Sequence, residues 1–94
     1  MADLDTLRAA IDRIDREIQG LFEERMNVAS EIAAYKKEKG LPVPDASREE
    51  ALLKKLRDRA ADEELGEGIV RLYKEMMAIS RDRQSRLLTD DRQL

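Results

Sequence analysis

Residues 4–37 read LDTLRAAIDRIDREIQGLFEERMNVASEIAAYKK. Leu4, Leu7, Ile11, Ile14, Ile18, Leu21, Arg25, Val28, Ile32 and Tyr35 recur in it at spacings of three and four without a slip. That pattern describes one amphipathic helix of about ten turns. One member of the stripe is chemically out of place: Arg25 stands where a helix packed in a bundle wants an apolar residue.

Gly40, Pro42 and Pro44 end this first helix. A second begins near Ser47, where SREE (47–50) reads as a capping box of Ser47 with Glu50 and Asp45 is a rival N-cap. Its apolar stripe is Leu52, Leu53 and Leu56. DEELGEG (62–68) is the next break, and Ile69, Leu72, Tyr73, Met76, Met77, Leu87 and Leu88 mark a third helix. The spacing thus predicts an all-α fold in a single domain spanning 1–94. It has one very long helix (about 4–39), one short (46–62) and one medium (67–88), with a frayed tail over 89–94.

The first helix is too long for the chain that carries it. At 1.5 Å per residue it spans about 54 Å, whereas a compact chain of this size has a radius of gyration of about 12 Å. The other two helices cannot cover its whole apolar stripe, so a second chain is expected to bury the rest. A homodimer of intertwined helices is the simplest closed arrangement.

Composition narrows the chemistry. A net charge of −3 argues against nucleic acid as the main partner. No apolar run approaches the roughly 18 residues of a membrane span, and no charged segment followed by an apolar one opens the chain, so a cytoplasmic protein is expected. There is no cysteine and no histidine, which removes the thiol nucleophile, the commonest general base and the commonest zinc ligand. No metal is expected.

Several polar residues nevertheless lie on faces that the pattern turns inward. Lys36 follows Arg25 by eleven residues, about 20° around the helix and about 16 Å along it. Two long basic side chains therefore point the same way with room for a small molecule between them. Glu49 shares a face with Leu52, Leu53 and Leu56, while Ser80 and Gln84, four apart, extend the stripe of Tyr73, Met76 and Met77. Alone, Arg25 reads as a register device or a snorkelling side chain. Together, Arg25, Lys36 and Arg48 outnumber Glu49, and Asp45 compensates only if it is free of capping duty. Unpaired buried charge costs several kcal/mol, so the surplus of cations points to an anionic ligand. No glycine-rich phosphate loop is present, which favours carboxylates. Arg8 is about 25 Å along the first helix from Arg25 and about 100° around it. It cannot easily reach a pocket between Arg25 and Lys36 of its own chain, but it could reach that of an antiparallel partner.

At this point LDTLRAAIDRIDREI, EERMNVASEIAAYK, PVPDASREEALL and SRDRQ, in this order and spacing, resemble the all-helical chorismate mutase family over about residues 4–88. The resemblance implies an intertwined homodimer of three-helix chains. It also implies a cofactor-free and metal-free isomerase that converts the dicarboxylate chorismate to prephenate on the shikimate route to phenylalanine and tyrosine. By resemblance, Arg8 is lent across the dimer to the partner's site, and Arg25 grips a substrate carboxylate. Lys36 contacts the ether oxygen and a carboxylate. Asp45, Arg48 and Glu49 form the loop and second-helix set, with the glutamate and the backbone at the aspartate holding the ring hydroxyl. Ser80 contacts a carboxylate, and Gln84 is the second donor to the ether oxygen. Isochorismate pyruvate-lyases share the scaffold, the arginines, the lysine and the glutamine; Glu49 favours the mutase. A non-catalytic helical interaction or regulatory module is the reading from another class.

Overall fold

The computed structural model of the chain describes residues 3–93, with side chains for residues 3–87. It contains α1 (Leu4–Glu38), α2 (Ala46–Arg59) and α3 (Glu63–Gln93), with no strand among the described residues.

Local chemistry sets the ends of α1. Asp3 caps it, its carboxylate accepting from the Thr6 N–H at 2.8 Å. At the other end Gly40 takes a positive φ of 69°, its N–H donates to the Lys37 carbonyl at 3.2 Å, and the Leu41 N–H donates to the Lys36 carbonyl at 2.7 Å. This pair of bonds is a Schellman cap, which needs a residue without Cβ strain at Gly40. Lys36 and Lys37 in the last turn also suit the negative end of the helix dipole.

Between the two rival caps of α2 the structure selects Asp45, whose side chain accepts from the Arg48 N–H at 3.0 Å. The Ser47–Glu50 box is therefore not the helix start. The DEELGEG segment also departs from expectation. α2 ends at Arg59, and α3 begins at Glu63, earlier than the expected 67. Asp62 explains this, because its carboxylate accepts from the Leu65 N–H at 2.8 Å and its carbonyl from the Gly66 N–H at 3.0 Å. Gly66 lies inside the first turns of α3 for a packing reason. A Cβ there would stand 3.4 Å from both the Ala60 Cβ and the Arg57 carbonyl oxygen, so glycine lets α3 start tight against the end of α2. The segment expected to fray is helix through Gln93; Leu94 and the side chain of Leu88 lie outside the described residues.

α3 is the shared element, packing against both α2 and α1, while α1 and α2 do not approach each other. Arg25 meets Tyr73 and Ser30 meets Arg83, so α1 and α3 run in the same direction. Glu49 meets Arg81 and Ala60 meets Gly66, so α2 runs against α3. The buried residues are few: Met26 and Ala33 of α1, and Gly66, Val70, Met77 and Ser80 of α3.

The face of α1 that α3 covers is therefore Met26–Ser30–Ala33, about 100° from the leucine and isoleucine stripe. Small side chains at 29, 30, 33 and 34 let α3 approach there. The stripe itself is left open along the whole helix, from Leu4, 59% exposed, to Tyr35, 57% exposed. The result is an elongated chain of 57 × 30 × 16 Å with a radius of gyration of 17.1 Å, against about 12 Å for a compact chain of this length.

Candidate active site

α3 organises the predicted residues. Tyr73, Ser80 and Gln84 follow one another at seven and four residues, within about 40° of one line along the helix. Ser80 is buried, and its Oγ accepts from Gln84 Nε2 at 3.0 Å. The amide is thereby held by one hydrogen, which leaves its second N–H to point elsewhere. Below them, the Arg25 guanidinium lies over the Tyr73 ring, 5.4 Å from its centroid. This contact holds a half-buried arginine without neutralising it.

The spacing on the two parallel helices matches. Lys36 follows Arg25 by eleven residues and Gln84 follows Tyr73 by eleven. On each helix eleven residues advance about 16 Å and about 20°, so both Lys36 and Gln84 lie toward the C-terminal side of the Arg25–Tyr73 contact. The Lys36 Nζ donates to the Val43 carbonyl at 3.3 Å, which ties the 39–45 loop to the end of α1 and fixes the cation beside it.

α2 contributes Glu49 in its first turn. Both carboxylate oxygens accept from Arg81 Nη1, at 2.6 and 3.0 Å. The Asp45 side chain is occupied by its capping bond. Arg48 is exposed. Among the described residues, Arg25, Lys36 and Arg48 have no carboxylate partner.

Two features do not join this set within one chain. Arg8 is exposed near the far end of α1 and makes no hydrogen bond or ion pair among the described residues. A cavity of about 510 Å³ between α1 and α3 is lined by Ser30, Ala33, Ala34, Lys37 and Glu38 on one side and Gln84 and Leu87 on the other. It meets the predicted residues only at Gln84, on the Lys37 side of α1. Its lining includes none of Arg25, Lys36, Arg48 and Glu49.

Sequence reasoning missed three contributors. Tyr73 was read only as part of an apolar stripe. Arg81 and Arg83 lie inside SRDRQ, where nothing in the sequence singles them out. Arg83 straps α3 to α1, its Nε donating to Ser30 Oγ and its Nη2 to Asn27 Oδ1, each at 3.3 Å.

Comparison with known proteins gives this arrangement its context. The family model described as chorismate mutase type II matches residues 7–85. A chorismate mutase of Methanocaldococcus jannaschii is 32% identical over 66 residues, covering 70% of this chain and 67% of that protein. The bifunctional chorismate mutase/prephenate dehydratase of Aquifex aeolicus is 35% identical over 83 residues, 83% of this chain, but the chain spans only 23% of its length. The structure of chorismate mutase (form II) from Thermus thermophilus superposes with a TM-score of 0.81 at 36% identity, covering 88% of this chain and 94% of that one. A match over residues 7–85, together with the same three-helix architecture, leads to one conclusion: the chain belongs to the type II chorismate mutase family.

Proposed function

We propose that the domain converts chorismate to prephenate by an intramolecular rearrangement, working as a homodimer with two shared sites. The observation that carries this reading is the set of three cations, Arg25, Lys36 and Arg48, that lack a carboxylate partner among the described residues. Gln84 supplies an amide donor held by a buried hydroxyl. A dianionic substrate supplies the missing countercharge. The reaction breaks one C–O bond and forms one C–C bond within a single molecule, so it needs no nucleophile, base or metal. It needs the extended dianion folded into a compact form, and charge stabilised on the ether oxygen as the C–O bond opens.

In this reading Arg25 and Arg48 hold carboxylate, as does Ser80. Lys36 and Gln84 donate to the ether oxygen. Glu49 and the backbone at Asp45 hold the ring hydroxyl, with Glu49 accepting its O–H. Arg8 of the second copy completes the site. The homodimer is supported by the open stripe of α1, whose Leu4, Leu7, Ile11, Ile18 and Leu21 are all more than half exposed in the single chain. Contiguous apolar surface of that extent is characteristic of an interface. No helix among the described residues is long and apolar enough to cross a membrane.

Purified protein incubated with chorismate, and separately with isochorismate, tests the proposal. Prephenate formed from chorismate, unaffected by a chelator, is the expected result. Pyruvate released from isochorismate, with chorismate untouched, would assign the domain to lyase chemistry instead. No turnover of either at high protein concentration would remove the catalytic reading.

A further inference from the structure

We infer that Arg81 is a positioning residue for substrate recognition, acting through Glu49: it holds that carboxylate in place and neutralises it beside a dianionic ligand. The inference rests on the reading of the site given above.

The geometry is specific. One nitrogen, Arg81 Nη1, reaches both Glu49 oxygens at 2.6 and 3.0 Å, across 32 residues of sequence and from one helix to another. The pair is partly exposed, 54% for the Arg81 side chain and 35% for Glu49. An ion pair so exposed contributes little to stability, so its consequence is sought in the site. A carboxylate offers about four lone-pair positions. Arg81 takes one on each oxygen, which turns both oxygens toward α3 and leaves the outer positions to accept from a donor.

Two effects follow from this. First, a free carboxylate in a pocket for a dianion repels its ligand, and the Arg81 charge cancels that repulsion at its source. Second, Glu49 adjoins Arg48, which has no carboxylate partner among the described residues, and a Glu49 released from Arg81 is free to turn to it and occupy a group the substrate needs. Arg81 keeps it on α3 instead. Arg81 also adjoins Ser80 and precedes Gln84 by one turn. The hydroxyl acceptor carried by α2 is therefore indexed to the same helix that carries the amide donor.

The test uses the full chain and four variants: Glu49→Gln, Arg81→Met, Arg81→Lys, and Arg81→Met combined with Glu49→Gln. Steady-state kinetics with chorismate are read as KM against kcat, with thermal melting as a check on folding. Arg81→Met should raise KM about tenfold, the loss of one hydrogen bond to a charged group, with kcat changed much less and the melting midpoint nearly constant. Arg81→Lys should recover part of the loss. In the Glu49→Gln background, Arg81→Met should add almost nothing, because two residues acting as one unit are not additive. If the wild type turns chorismate over and Glu49→Gln impairs it, but Arg81→Met is silent or costs the same with and without Glu49, the inference is overturned while the site reading stands. If the wild type is inactive, or Glu49→Gln is as good as wild type, the site reading itself fails and takes this inference with it.

Discussion

The Arg25 guanidinium of α1 lies over the Tyr73 ring of α3, 5.4 Å from its centroid. A ring face attracts the cation without supplying a countercharge, so Arg25 is oriented yet remains available to an anion. Tyr73→Phe preserves the face and should leave kcat/KM within about threefold of wild type. Tyr73→Ala removes it, and a contact of about 0.5–2 kcal/mol translates to a loss of between about twofold and thirtyfold. Equal losses for both variants would mean that the phenol hydroxyl matters and the ring face does not.

In the proposed reaction Lys36 and Gln84 both donate to the ether oxygen. Removing a single preorganised donor of this kind costs about 100- to 1000-fold in kcat. Lys36→Ala and Gln84→Ala should each fall in that range. Ser80→Ala should lose less, since it frees the amide that it holds at 3.0 Å without removing it. A Gln84→Ala variant with kcat near wild type would contradict the assignment.

The pH dependence separates chemistry from stability. With no histidine in the chain and an amide as one of the two donors, kcat should be nearly flat between about pH 6 and pH 8. Stability has a different lever at the start of α1. The bond from the Thr6 N–H holds the Asp3 carboxyl below its ordinary value of 3.8. A carboxyl with a depressed value in the folded state stabilises fully above 3.8 and loses that contribution as the pH falls through its folded value. The difference in melting midpoint between wild type and Asp3→Ala should therefore be constant from about pH 7 to about pH 5 and shrink in more acidic solution. A difference that grows in acid would mean that Asp3 acts through something other than its cap.

The apolar stripe of α1 makes the assembly testable. Ile11 and Ile18 are each 56% exposed in the single chain. Replacing Ile11 with Glu introduces a charge into the expected interface, and breaking up the dimer should lower both helicity and activity, with sedimentation showing a lighter species. A wild-type chain that sediments as a monomer at micromolar concentration would contradict the dimer.

How much of this was legible beforehand differs from element to element. The 3–4 spacing of residues 4–35 identified α1 and its length, because periodicity over ten turns is a strong signal. It did not reveal which face α3 would cover. The large apolar residues advertise the stripe, but the intrachain contact uses the small side chains at Ser30 and Ala33, whose signal is weak. The break at DEELGEG was misjudged for a related reason. Two glycines read as a loop, whereas Asp62 caps a helix whose Gly66 packs close to Ala60 and Arg57. At the site, Arg25 and Lys36 stood out because they occupy apolar register. Arg81 did not, because an arginine among SRDRQ looks solvated until Glu49, on another helix, is seen to meet it.

The central claim is that each site is completed by a second copy, with Arg8 and Arg25 coming from different chains. The most direct measurement mixes Arg8→Ala and Arg25→Ala, each nearly inactive alone, then unfolds and refolds them together and assays chorismate turnover. Random pairing makes half of the dimers mixed, and each mixed dimer holds one intact site, so activity should return to about a quarter of wild type. Activity that stays at the level of the separate variants would contradict the shared site.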